Sequence, residues 1–167
     1  MRPVALVIFL LLINHCAGAT ERNPFLKLKY DSVVIYDYEV PDEGNAEIIV
    51  VARLNGVMHR SATLSIIQAN ELGNWLGSKK SYGGVDGTCF LPHLGIVYYS
   101  QGRAVAWVSV CLTCNQLRSS LFIAAQHQGW RKTGSEEAYS GMGMGMSAAF
   151  RKYLFVLLRQ NHFSLGG

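Results

Sequence analysis

The stretch from Thr88 to Asn115 constrains this chain most: TCFLPHLGIVYY, the quartet Ser100-Gln101-Gly102-Arg103, then AVAWVSVCLTCN. Two runs rich in β-branched and aromatic residues, separated by a short polar segment containing glycine, predict an antiparallel hairpin. With a two-residue turn centred on Gln101-Gly102, Cys89 falls opposite Cys114, Pro92 opposite Cys111, and His93 opposite Val110. Cys89, His93, Cys111 and Cys114 are thereby expected at the open end of one hairpin. Nowhere else in the sequence do reactive side chains gather.

The first residues set the compartment. Arg2, the apolar run Val4 to Ile13 and then Ala17-Gly18-Ala19 read as a charged start, a short greasy core and a small-residue cleavage site, so residues 1–19 are expected to be a secretory signal peptide. The run is far short of the roughly 18 apolar residues that cross a bilayer, and no later run is longer. The sequence thus predicts an exported protein, periplasmic or extracellular, with no transmembrane segment after processing. Cys16 raises a lipid-anchored alternative, against which stands His15, since the position before a modified cysteine is normally small. Residues 20–167 are expected to form a single domain. Beyond Cys16 three cysteines remain, an odd number; in an oxidising compartment one thiol is left over, pairs between chains or binds a metal. The formal net charge of +4 is mild and its cations are scattered, which argues against a nucleic-acid footprint.

Local patterns supply the elements. Thr20 to Lys29, with Pro24, is expected as a loose lead-in. Tyr30 to Val40 alternates as a strand, with Tyr30, Val34, Tyr36 and Tyr38 on one face and Asp31, Asp37 and Glu39 on the other. The turn cluster at 41–45 leads to EIIVVARL (Glu47 to Leu54), a second strand, and Asn55-Gly56 predicts a hairpin into Val57 to Arg60. Ser65 with Gln68 is a capping box for a helix over Ser65 to Leu76, ended by Gly77. Ser78 to Gly87 is expected as a connecting loop, Leu117 to Ala124 as a further strand, and Gln126 to Gly145 as irregular chain. Ser147 caps a last helix in which Phe150, Tyr153, Leu154, Leu157 and Leu158 make one apolar stripe. The sum is an α+β fold, a mostly antiparallel sheet of about five strands with two helices packed on it.

CFLPHLGIVYY, the turn, and AWVSVCLTCNQLRSS, preceded by SYGG and followed by a GMS-initiated helix, resemble a family of small secreted or lipid-anchored bacterial proteins that has no assigned activity. Its pattern is similar to C-F-x-P-x-x-G, a hairpin, and a strand closing on C-x-x-C; Cys89, Phe90, Pro92, Gly95, Cys111 and Cys114 match it. The resemblance implies a shared fold and an exported location, and brings no catalytic residues.

Three chemistries suit the cysteine cluster. One is a disulfide joining Cys89 to Cys111 or Cys114 and stapling the hairpin's open end. Another is a metal site of Cys89, His93, Cys111 and Cys114, a thiolate and imidazole set for which zinc is the natural cofactor. The third is redox catalysis by the Cys111-x-x-Cys114 pair, although the residues after Cys114 suggest a strand where a thioredoxin-like site has a helix. His59, His127 and His162 lack ligand spacing and are expected at the surface. Met142, Met144 and Met146 offer soft thioethers, but their alternating glycines more simply give a flexible lead into the last helix. No nucleophile, zinc-protease, phosphate-loop or dinucleotide motif is present. The expectation is a non-enzymatic exported module that binds an envelope or extracellular partner through loops, with a thiol-disulfide redox protein as the alternative.

Overall fold

The computed structural model describes residues 23–40, 46–87, 89–127 and 143–163. The expected signal peptide with Cys16, the expected turn cluster at 41–45, Thr88, most of the stretch expected to be irregular, including Met142, and the last four residues lie outside it.

A five-stranded antiparallel sheet in the order β4-β1-β6-β7-β8 carries the fold, with β1 at Ser32–Glu39, β4 at Val57–Thr63, β6 at Leu94–Ser100, β7 at Arg103–Cys111 and β8 at Gln116–Ser119. Helices α1 (Ile66–Leu76) and α2 (Ala148–Gln160) cover one face. The expected α+β architecture is what the chain adopts. Both helices begin where their caps place them. In α1 the Ser65 amide donates to Gln68 Oε1 at 3.0 Å while Ser65 Oγ accepts from the Gln68 amide at 3.3 Å. In α2 Ser147 Oγ accepts from the Phe150 amide at 3.2 Å. Ala69, Leu72 and Leu76 of α1 and Phe150, Leu154, Leu157 and Leu158 of α2 meet Val33, Ile35, Ile96, Tyr98 and Val108 of the sheet. The indole of Trp75 stacks on Phe150 at 5.8 Å and joins the two helices.

The second face of the sheet is also closed. Tyr36, Tyr38, Val97, Tyr99 and Trp107 project there and pack with Ile48 and Ile49. Val33 and Ile35 therefore occupy the side of β1 expected to be acidic, facing the helices, and the strand is buried on both faces. The cover comes from the segment expected to be one strand over Glu47 to Leu54. It doubles back instead as a miniature hairpin, β2 (Ile49–Val50) with β3 (Arg53–Leu54), reversing at Val51 and Ala52, both with positive φ (48° and 59°). Asn55-Gly56 then links β3 to the edge strand β4, which pairs with β1 and not with the preceding strand. Where Ile48 crosses β6, a Cβ on Gly95 would stand 2.5 Å from Ile48 Cγ1, so only glycine admits this cover.

Two further expectations give way. The lead-in is anchored: Pro24–Leu26 form a 3₁₀ turn with Phe25 only 2% exposed, and Asn23 Nδ2 donates to the Gly73 carbonyl of α1 at 2.8 Å. The loop after α1 holds strand β5 (Tyr82–Gly84), paired with β9 (Gly145–Met146). A Cβ on Gly145 would lie 2.8 Å from the Gly84 carbonyl oxygen. Close backbone approach, not a flexible lead, accounts for that glycine. Met146 is fully buried and Met144 packs against the helix-side core, so these thioethers serve packing. Of the strand expected over Leu117 to Ala124, only its first part lies in β8; Ala124–His127 is a 3₁₀ turn.

Gly95→Ala is expected to cost about 1–3 kcal/mol of unfolding free energy, because a methyl group must displace a fully enclosed Ile48. In urea denaturation, Gly95→Ala combined with Ile48→Ala should cost clearly less than the two single changes added together; strict additivity would refute the contact.

Candidate functional site: the cysteine centre

Strand alternation places the centre. Along β7, Val108 and Val110 point to the helix-side core, while Ser109 and Cys111 project on the opposite face. Residues 112–115 then reverse the chain into β8, with Asn115 at φ +55°, a conformation asparagine reaches more readily than most residues. Cys114 lies within this reversal. The incoming segment before β6 is tied to it at several points. Asn115 Nδ2 donates to the Val85 carbonyl at 2.8 Å and to the Met146 carbonyl at 3.0 Å, the Gly87 amide donates to the Cys114 carbonyl at 2.8 Å, and Gln116 Nε2 donates to the Gly87 carbonyl.

Cys89 and Cys114 are joined by a disulfide, their Cα atoms 5.8 Å apart. Of the two pairings open from the sequence, this is the one formed. Cys111 keeps its thiol, which is enclosed (1% exposed) with Ala46, Phe90, Cys114 and Val40 around it. Its Sγ accepts a hydrogen bond from the Cys114 amide at 3.1 Å. Cys89, in contrast, is at an exposed position. The guanidinium of Arg118 sits 4.0 Å over the Phe90 ring and shields the cluster from one side.

The same face carries a buried polar pair. Tyr38 Oη donates to the Ala46 carbonyl at 2.8 Å, and Ser109 Oγ accepts from the Ile48 amide at 2.8 Å. These bonds hold the 46–48 segment over the sheet next to Cys111. Burial pushes the Tyr38 phenol well above its ordinary range, so it stays a neutral donor.

The three sulfurs of the expected zinc set come together, but not as four open donors. The sulfurs of Cys89 and Cys114 are spent in a bond to each other, and His93 is exposed, contributing its carbonyl to the Tyr38 amide at 3.1 Å. Among the described residues no group of three or more His, Cys, Asp or Glu side chains is placed to hold a metal ion. The register explains the position of His93. Ser100 faces Arg103 and Tyr99 faces Ala104 as the turn dictates, but Tyr98 faces Ala106, so Val105 is an extra residue and Leu94, not His93, stands opposite Val110. Of the other histidines, His59 is exposed 3.5 Å from a Glu39 carboxylate oxygen, and His162 is exposed beyond α2. His127 is half-buried and stacked on Phe122 at 5.1 Å, and burial lowers its pKa.

Sequence reasoning passed over Asn115 and Gln116, which clamp the reversal to the incoming segment. An asparagine directly after the last cysteine of a turn is the one local sign of the first; the role of Gln116 depends on chain far away in sequence. Comparison with protein-family models, with curated proteins and with solved structures finds no match to this chain.

The disulfide spans 25 residues of sequence, a separation for which a cross-link contributes about 3 kcal/mol by restricting the unfolded chain. Cys89→Ser should lower the unfolding free energy by about that amount in urea. A change below about 1 kcal/mol would show that the polar clamp at Gly87, Asn115 and Gln116 holds the segment without the bond.

Proposed function

We propose that the chain is an exported, non-enzymatic binding or structural module, and that its cysteine centre staples the fold while its loops meet an envelope or extracellular partner. The observation carrying this reading is the pairing itself: Cys114 is bonded to Cys89, and the remaining thiol, Cys111, is closed to solvent. A dithiol catalyst needs an accessible attacking sulfur paired with its neighbour in the Cys-x-x-Cys motif. Here that neighbour is engaged elsewhere.

The compartment reading rests on the chemistry of the bond, since such bonds persist in oxidising surroundings. Among the described residues no helix is long and apolar enough to cross a membrane. The segment held by the staple presents Val85, 89% exposed, and the exposed Leu91, apolar side chains suited to contact with a partner. Membership in the family of small secreted bacterial proteins suggested by Cys89, Phe90, Pro92, Gly95, Cys111 and Cys114 belongs to the same proposal. In that motif Gly95 has the physical task of admitting Ile48.

The test is expression in a bacterium with the chain's own leader, fractionation, and immediate acid quenching before non-reducing peptide mapping. The expected product is an exported protein with Cys89 bonded to Cys114, Cys111 unbonded and no stoichiometric metal. With excess reductant present, it should show no multiple turnover of a small disulfide substrate above that of Cys111→Ser. Retention in the cytoplasm, bound zinc, or turnover that depends on Cys111 would overturn the reading.

A further inference from the structure

An enclosed thiol cannot be reached by an external substrate, but one electrophile shares its enclosure. Cys111 Sγ is 3.1 Å from the amide nitrogen of Cys114, and Cys114 Sγ is half of the disulfide. Cys111 enters the reversal at 112–115 and Cys114 lies within it, and the 3.1 Å contact between Cys111 Sγ and the Cys114 amide nitrogen keeps the two Cα atoms within about 7 Å by ordinary bond lengths. A disulfide spans Cα separations of about 4.4–6.8 Å. Cys114 therefore has two cysteines within reach, one enclosed and one at an exposed position, and is bonded to the exposed one.

We infer that Cys111 is the internal nucleophile of a thiol–disulfide exchange that moves the bond from Cys89–Cys114 to Cys111–Cys114 and liberates Cys89 as a surface thiol. Cys111, as thiolate, attacks Cys114 Sγ. The Cys111–Cys114 bond forms, the Cys89–Cys114 bond breaks, and the electron pair departs on the sulfur of Cys89, which takes up the proton that Cys111 gave up. No oxidant or reductant is consumed, because one disulfide and one thiol become one disulfide and one thiol. Two structural features favour the step. The Cys114 amide holds the attacking sulfur beside its target. The leaving sulfur belongs to a segment just before β6, outside any strand, so it can move away without unpairing the sheet.

The consequence is a ligand class for the module. The released Cys89 can attack an accessible disulfide on a partner, forming a mixed disulfide and expelling a partner thiolate. This step does not require the proposed location or the absence of enzymatic turnover, so its failure would leave that reading standing.

The experiment uses the oxidised full chain, folded and free of added thiol, in excess N-ethylmaleimide. Aliquots are quenched in acid over a day and mapped without reduction. Uncatalysed disulfide rearrangement takes minutes to hours. The expected result is maleimide accumulating on Cys89 in molecules that carry a Cys111–Cys114 bond. In Cys111→Ser, with the native circular dichroism spectrum as a check on folding, labelling of Cys89 should fall at least tenfold. Label found only on Cys111, no label after a day, or equal labelling of Cys89 in the variant would overturn the inference. The wild-type map decides the matter even if the variant does not fold.

Discussion

Every residue from Leu94 to Tyr98 is buried, and this double-sided closure of β6 is the constraint to which the rest of the chain answers. A strand buried on both faces must find an apolar cover on each. On one side α1 and α2 supply it with regular stripes and a stacked Trp75–Phe150 contact. On the other side, among the described residues, the cover is the short segment around Ile48, held by the Tyr38 hydroxyl and Ser109 Oγ. Burying Ile48 and Val97 there recovers on the order of 2 kcal/mol per side chain. That gain depends on Gly95, because any side chain at that position would occupy the space of Ile48.

The cysteine centre extends this second face. Alternation along β7 that sends Val110 to the helices sends Cys111 to the side covered by residues 46–48, which is why its thiol is enclosed with Ala46 and Phe90. Had the hairpin kept the register of its turn throughout, His93 would have stood opposite Val110. The extra residue at Val105 moves Leu94 into that place. A bulge of this kind reverses which face each later residue meets relative to the turn. The disulfide holds the far end of the same hairpin, where β6 has not yet begun and the ladder cannot.

Features encoded within a few residues were legible in the sequence. The caps at Ser65 and Ser147, the stripe from Phe150 to Leu158 and the turn at Gln101-Gly102 all act over one or two helical turns or a single reversal. The nearness of Cys89 to Cys114 was legible insofar as the turn brings the two ends of the hairpin together, but the exact opposition was not, because the extra residue at Val105 shifts the register by one and Cys89 and Cys114 both lie outside the ladder. What escaped depends on partners distant in sequence or on backbone states the residue types disfavour. Val51 and Ala52 reverse the chain at positive φ without glycine or asparagine. Val105 gives no local sign of a bulge. The pairing of Tyr82–Gly84 with Gly145–Met146 joins segments far apart in sequence, as do the contacts that hold the lead-in, Asn23 to the carbonyl of Gly73 and Phe25 to Tyr98.

Enclosure also gives the three sulfurs a direction. A small thiol in the medium meets the disulfide first at Cys89, because Cys114 and Cys111 are both buried. Attack there expels the Cys114 thiolate into the interior, beside Cys111, and leaves the oxidising equivalent on Cys89 as a mixed disulfide, from which the Cys114 thiolate can close the original bond again and release the small thiol. Attack from within, by Cys111 on Cys114, expels the Cys89 thiolate outward. Chemistry from either side thus reaches the surroundings through position 89, and the buried Cys-x-x-Cys pair works behind it. The staple and the exchange draw on one arrangement: a single sulfur at the turn shared between an exposed neighbour and an enclosed one.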